Sequence, residues 1–511
     1  MTGMRRTSHA LLAASLVWLL PAPWAPPVRA QASPLAGFDA HTAKAAADWH
    51  VPGFAIAVVK DGRVVVAKGY GVRELGKPDP VDEHTLFAIG STTKAMTAAM
   101  LGMLVDEGKL TWDDPVIKHL PAFQLKDPTA TRELTVRDLL THRGGLGNAD
   151  FLWYGQDNTT EQILSRVRLL EPAYSIRSRF IYQNIMYAAA GRVIEAASGR
   201  SWAEYIRTRI FEPLGMRDTA PTLAMVPKGA NVASPHDRVG GTITVIENMP
   251  VDSVAPAGAV WSSVHDMAKW MQFLLDGGVA PGGKRLLSER AFAELFKPQT
   301  IAPDNQYPAT RIVKPHWMTY GFGWFQEDYR GRAVDFHTGS IDGMIAIIGL
   351  IRDERLGVYA LGNLDHAELR HALMYTVFDR YAGRSDRDWN AELLTLYAEE
   401  AKRADEAQKR LESQRVAGTA PSLPLDRYAG TYSDPLRGDV EVTLEGGGLR
   451  IRYGRVFTGP LEHWHYNTFR AGWTQEWRGT ALVNFVIGPS GRVEAVEMSG
   501  GRFPKTVPPS R

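Results

Sequence analysis

Ser91 and Lys94 stand three residues apart in FAIGSTTKAMTAAMLGMLVDEG (Phe87 to Gly108), a stretch that otherwise reads as buried helix. On a helix, that spacing puts both side chains on one face. A serine hydroxyl is a weak nucleophile until a base takes its proton, and a desolvated, neutral lysine is such a base. From Ala95 to Val105 the only polar side chain is Thr97, and a helix apolar on every side belongs in an interior. A lysine there must lose its proton or find firm partners. Ser91 fits as the N-cap of this helix and Gly108 as its end. Ser-x-x-Lys arises by chance about once in a chain this long. The spacing alone therefore leaves open a capping serine followed by a solvated lysine.

Two further stretches carry chemistry. In FIYQNIMY (Phe180 to Tyr187), Tyr182 and Asn184 lie just before an alanine-rich helix. A phenol beside a cationic lysine is expected to have its pKa lowered and to shuttle protons, while an amide can hold a substrate carbonyl. The plainer alternative makes Asn184 a helix cap and Tyr182 a core aromatic. In FHTGSIDGM (Phe336 to Met344), Gly339 allows close backbone approach, and the N–H of Ser340 can point at an oxyanion. Its alternative is an edge strand with a glycine kink and a surface histidine.

Other chemistries find less footing. The chain has no Gly-x-Ser-x-Gly elbow and no HExxH. HAELRH (His366 to His371) has the wrong spacing for a helical zinc pair. His463 and His465 can share one strand face, which favours an aromatic-rich face over a metal site. No phosphate-binding glycine loop stands out, and no cofactor is called for.

Elements that must position these residues are readable. FAIAVVKDGRVVVAKGYG (Phe54 to Gly71) reads as two strands joined at Asp61-Gly62. LTVRDLLTHRGGL (Leu134 to Leu146) reads as a helix ending in a glycine turn, and NIMYAAAGRVIEAASG (Asn184 to Gly199) as another helix. YGFGWF, MIAIIGLIRD and GVYALGN then read as strands. Strands at both ends with helices between predict one α/β (α+β) domain, its antiparallel sheet flanked by helices. WNAELLTLYAEEAKRADEAQKRLESQ (Trp389 to Gln414) is a charged amphipathic helix, followed by a linker. From Leu425 short alternating runs such as VEVTLE and LRIRYG predict a small all-β sandwich or barrel.

The 511 residues suit two or three units, and 44% hydrophobic with 22% charged residues gives ample core. A net charge of +2 gives no pull toward nucleic acid or anionic membrane. Arg5 and Arg6 precede ALLAASLVWLL, and Val28-Arg29-Ala30 offers a cleavage site, which predicts a secretory signal over residues 1–30. The run is short for a membrane span, so a periplasmic or secreted protein without a stable anchor is expected. With no cysteine in the chain, disulfides, thiolate catalysis and cysteine metal sites are ruled out.

STTK, YQN and HTGS, in that order, closely resemble the motifs of the serine β-lactamase and penicillin-binding protein superfamily, in its class C-like branch of β-lactamases, esterases and D-peptidases. LTVRDLLTHRGGL, EPLGMRDT and PAGAVWSSVHDMAKW resemble framework segments of that branch, and the likeness covers about Phe38 to Gly383. It implies a β-lactamase/transpeptidase-like domain over 31–383, a helix and linker over 384–424, and a lipocalin-like β domain over 425–511. It further implies Ser91 as acylated nucleophile, with Lys94 and Tyr182 as its proton-transfer groups. Asn184, His337, Thr338, Gly339 and Ser340 would bind substrate, and the N–H groups of Ser91 and Ser340 would form the oxyanion hole. No metal is implied. His-Thr-Gly stands where class C β-lactamases have Lys-Thr-Gly, so recognition of a substrate carboxylate is expected to be weaker or pH-dependent. The implied activity is cleavage of an ester, amide or D-amino-acid peptide. The alternatives are a small-acyl carboxylesterase, a weak β-lactamase, and a penicillin-binding sensor that acylates without turnover.

Overall fold

The computed structural model describes Thr2 and residues 33–506; the expected signal segment lies outside the described residues. The first of its two main sheets has eight strands: β1 (Gly53–Lys60), β2 (Arg63–Gly71), β3 (Thr300–Ile301), β4 (Met318–Tyr320), β5 (Phe325–Tyr329), β6 (Arg332–Ile341), β7 (Met344–Ile351) and β8 (Leu356–Gly362). Their order is β2-β1-β8-β7-β6-β5-β4-β3, antiparallel throughout. Strands from both chain ends therefore meet at β1 and β8.

Near-continuous apolar runs in β1, β7 and β8 follow from cover on both faces. Ala55, Ala57 and Val59 face a core completed by α2 (Thr93–Asp106), α3 (Asn184–Ser198) and α4 (Val264–Leu275). Phe54, Ile56 and Val58 face the opposite core, formed with α1 (Phe38–Asp48) and α5 (Leu369–Tyr381). The hairpin between β1 and β2 turns at Asp61 and Gly62, both with positive φ (50° and 76°), the geometry that matches strand twist. The expected YGFGWF strand is broken, because Gly321 to Gly323 turn the chain from β4 into β5.

The charged helix α6 (Trp389–Ser413) leads to a second all-β unit. Among the described residues, no helix is long and apolar enough to cross a membrane. Eight strands between Gly430 and Pro504 pair in simple succession. The last comes back to the first through Tyr432 opposite Lys505 and a Thr506 N–H donated to the Thr431 carbonyl (2.9 Å). This is a nearly closed barrel, filled by Tyr428, Tyr432, Phe469, Phe485 and Phe503.

Glu327, on β5, is wholly buried; its Oε1 accepts from Tyr375 Oη at 2.7 Å, and its Oε2 has no partner among the described residues. Burial pushes its pKa from 4.5 up to about 7. Folding therefore takes up a proton between those values, so this contribution to stability is complete below pH 4.5 and lost as pH rises through 7. Glu327→Gln is expected to raise Tm at pH 8, by the equivalent of up to about 3 kcal/mol, and to leave it nearly unchanged at pH 4.5. Thermal unfolding at the two pH values checks this.

Candidate active site

Ser91 lies in a single tight turn, Gly90–Thr92, that leads into α2. It is not the helix cap expected from sequence: Thr92 holds that position, without a side-chain cap bond. The Ser91 hydroxyl is instead turned to Lys94, whose Nζ stands 2.9 Å from Ser91 Oγ, 2.8 Å from Asn184 Oδ1 and 2.9 Å from the Ala257 carbonyl oxygen. Asn184 does not cap its helix either, since Gln183 occupies that position. Its amide orientation is set by Nδ2 donating to Asp150 Oδ1 (3.1 Å), which leaves Oδ1 toward the lysine.

Those three partners suit a neutral amine, the form that burial of Lys94 favours. Asn184 Oδ1 and the Ala257 carbonyl only accept, so they take two N–H groups. A neutral amine has two hydrogens and one lone pair, and the lone pair is left for the Ser91 O–H. Lys94 is fully buried, and desolvation holds its pKa well below the usual lysine range, with Asp150 opposing. Gly323 permits this burial: a Cβ there would lie 2.7 Å from the Ala95 nitrogen and 2.9 Å from the Lys94 carbonyl carbon. Lys94 Nζ also lies over the rings of Tyr182 and Tyr187, 4.8 and 5.2 Å from their centroids.

Tyr182 departs from the sequence expectation. Its pKa is raised well above 10, by desolvation first and by Tyr307 second, with the Ser91 hydroxyl opposing. The expected lowering required a cationic lysine, and burial makes that lysine neutral. Tyr182 is therefore a protonated phenol.

Gly339 brings the strand to Ser91. A Cβ at Gly339 would lie 2.0 Å from the Ile89 carbonyl oxygen and 3.1 Å from the Ser91 nitrogen; one at Gly90 would lie 2.7 Å from the Ser340 nitrogen. The Ser91 N–H is in a first helical turn, where no intrahelical acceptor exists. Ile341 and Met344 flank a two-residue hairpin, so ladder alternation points the Ser340 N–H away from β7. The Ser91 and Ser340 nitrogens are thus brought onto adjoining backbone segments, neither N–H taken up by its own helix or by β7. Arg370 fixes this strand, donating to the Gly339 carbonyl (2.6 Å) and Ser340 Oγ (3.0 Å) while Glu368 grips it from behind at 2.7 and 3.0 Å. Gly339→Ala is expected to part the two donors and lower kcat about 10²- to 10³-fold, with KM little changed, in steady-state kinetics.

His337 is neither a surface residue nor part of the cleft lining. It is buried, with Nε2 3.0 Å from Tyr320 Oη and Nδ1 2.6 Å from the Thr338 carbonyl. Strand alternation explains this: Thr338 and Ser340 face the cleft, and His337 faces the sheet interior. Desolvation pushes its pKa down to about 3. It stays neutral at working pH, so the expected pH-dependent hold on a substrate carboxylate does not arise from it.

Sequence reasoning missed His142 and Asp138. The helix in LTVRDLLTHRGGL spans only Val136–Leu140 and ends at His142, which adopts φ 55°, rather than at a glycine. The His142 carbonyl accepts the Ile181 N–H (2.8 Å), and its Nδ1 accepts the Gln183 N–H (3.0 Å). The N–H groups of the residues on either side of Tyr182 are thereby fixed, and the Tyr182 ring centroid lies 4.3 Å from that of the imidazole. Asp138, fully buried, caps its own helix with Thr135 and binds Arg143 and Arg177, both at 2.7 Å. The Thr-x-x-Asp spacing was the available signal for the cap. Among the described residues, no three His, Asp or Glu side chains gather as a metal set. His463 and His465 straddle a strand irregularity and bond to the Tyr466 carbonyl and the Val416 N–H.

Ser91, Tyr182, Asn184, Thr338 and Ser340 open together on a cleft of 660 Å³. The family described as Beta-lactamase matches residues 38–379, and a domain of unknown function, DUF3471, matches 414–506. Unguisins hydrolase ungD of Aspergillus violaceofuscus is 30% identical over 83% of this chain and 79% of its own. Protein flp of Staphylococcus aureus is 26% identical over 62% of this chain and 60% of its own. The octameric penicillin-binding protein homologue from Pyrococcus abyssi superposes with a TM-score of 0.62 at 25% identity, covering 92% of this chain and 99% of that one. SurE shares the fold with a TM-score of 0.55 at 22% identity.

Proposed function

The chain belongs to the Beta-lactamase family and is a serine hydrolase of that kind, and on that premise we propose that it cleaves a peptide-like amide or ester through an acyl-enzyme on Ser91. The observation that carries this reading is the fully buried Lys94 amine 2.9 Å from Ser91 Oγ, held from its other sides by Asn184 Oδ1 and the Ala257 carbonyl. Lys94 takes the hydroxyl proton as Oγ attacks the carbonyl carbon. The N–H groups of Ser91 and Ser340 take the developing oxyanion. The proton on Lys94 passes through the Tyr182 phenol to the leaving nitrogen or oxygen, and the bond to the leaving group breaks. Water oxygen then attacks the acyl carbon, its proton passing through Tyr182 and Lys94 to Ser91 Oγ as the acyl–Oγ bond breaks, and the acid leaves with the serine restored.

Asn184 holds Lys94 on one side and faces the cleft on the other, so it orients both base and substrate. Efficient β-lactamase action and cleavage at a free C-terminal carboxylate are both disfavoured, because His337 is neutral and turned inward. D-amino-acid peptides and amides lacking that carboxylate remain the favoured substrates. The basic and apolar N-terminal run supports export to the periplasm.

Burst and steady rates with p-nitrophenyl butyrate, nitrocefin and D-alanine p-nitroanilide test the proposal. Sustained turnover of the ester or anilide, with nitrocefin slowest, is the expected result. A burst equal to the enzyme concentration followed by silence would make the protein an acylated sensor instead.

A further inference from the structure

We propose that the C-terminal barrel is the second wall of the substrate cleft and forms there a subsite for a neutral aromatic or branched apolar group. The substrate would then be an ester or amide without a carboxylate near the scissile bond. This rests on the serine-hydrolase reading and names the substrate class for the same site.

The wall opposite Ser91 is built from Tyr453, Phe457, Trp473 and Met498, all from the barrel. Phe457 packs between Tyr453 (centroids 6.2 Å apart) and Trp473 (5.3 Å), and against Tyr154 of the catalytic domain (6.2 Å). A continuous aromatic surface facing a nucleophile binds apolar groups by area and ring packing.

This wall is bolted to the reaction centre. The side chain of Arg478 is 3% exposed and pairs with Asp342 at 2.9 Å. It also donates to Tyr154 Oη (2.8 Å), which in turn donates to Asp342 Oδ1 (2.9 Å). Asp342 lies in the hairpin tip two residues beyond Ser340. The barrel therefore grips the strand end that carries an oxyanion donor, and its aromatic face is fixed in distance from Ser91.

Charge decides what that face accepts. Among the described residues lining the cleft, Asp150 and Arg478 are the only charged side chains. Arg478 is consumed by Asp342, and Lys94 below the cleft floor is a neutral amine. A carboxylate entering here would lose water against aromatic rings, meet Asp150, and find no free cation. A neutral apolar group has no such penalty.

The test uses the full-length protein and three p-nitrophenyl esters: butyrate, 4-phenylbutyrate and the succinate half-ester. The expected kcat/KM is about tenfold or more higher for phenylbutyrate than for butyrate, and about tenfold or more lower for the half-ester. In Phe457→Ala the phenylbutyrate-to-butyrate ratio should collapse toward one. An unchanged ratio in that variant, or equal use of the half-ester, overturns the inference. Ser91→Ala protein is also titrated with 4-phenylbutyramide and with 4-phenylbutyrate, followed by tryptophan fluorescence. Amide binding about tenfold or more tighter than acid is expected; equal binding, or none, overturns the subsite whatever the esters do. Selective amide binding without any ester turnover would instead sink the hydrolase reading and leave the subsite standing.

Discussion

Ser91→Ala is expected to abolish covalent labelling by a serine-directed phosphonate probe and to lower kcat about 10⁶-fold. Its fold should be unaffected. The hydroxyl faces the cleft and bonds the amine of Lys94. Alanine suits the tight turn Gly90–Thr92 and the helix it leads into. What survives is the residual catalysis of the oxyanion donors and of binding alone. Intact-protein mass spectrometry reads the label, and steady-state kinetics read the rate. Retained labelling at one equivalent would place the nucleophile on another serine. Serine and lysine act as a unit in this scheme, so the Ser91→Ala/Lys94→Met double variant should be no slower than Ser91→Ala alone.

The parts of this site that were legible in the sequence are those where local pattern and chemistry coincide. A lone lysine at the head of the apolar run from Ala95 to Val105 announced a desolvated amine, because burial acts on any lysine so placed. Asp61-Gly62 announced a hairpin for an equally local reason, and the alternating runs after Leu425 announced the second β unit. What the sequence left open depends on the third dimension. Whether Ser91 capped its helix or faced Lys94 was decided by Asn184 and Ala257, far away in the chain. Tyr182 was misjudged because its shift depends on the charge of Lys94, which depends in turn on packing by Gly323 and α3. His337 was misplaced by one side of a strand, a matter of register that only the neighbours of β6 settle.

His142 was illegible for another reason. A non-glycine residue at φ 55° carries backbone strain that no propensity favours, and it persists because the Ile181 and Gln183 N–H groups bind there. Its sequence neighbours Arg143 and Gly144 offered a more ordinary turn. The barrel wall was equally hidden, since Phe457 and Trp473 look like core aromatics of their own domain. The pairing of Arg478 with Asp342 and the packing of Phe457 on Tyr154 show that this face is shared.

Lys94→Met is expected to cut the acylation rate about 10⁴-fold while changing stability in a direction that identifies the lysine as a neutral base. In the unfolded chain the amine titrates at 10.5; in the fold, desolvation holds it well below that. Folding therefore expels a proton at any pH between the two values, and the native state gains stability as pH rises toward 10.5. Methionine fills similar space without titrating. It also loses the contacts to Ser91, Asn184 and Ala257, but in the neutral-amine state that loss is the same at every pH. The difference in Tm, variant minus wild type, should accordingly grow more positive as pH is lowered from 10 toward 7. A lysine kept charged by an ion pair would give the opposite trend, since its native pKa would be raised. The same titration governs turnover: wild-type kcat/KM should rise with pH along an acid limb that protonates Lys94, and fall only where Tyr182 ionises, above 10. Lys94→Arg, whose guanidinium keeps its proton, should be inactive across the whole range. Activity in that variant, or a flat Tm difference in the methionine variant, would remove the neutral amine from the mechanism.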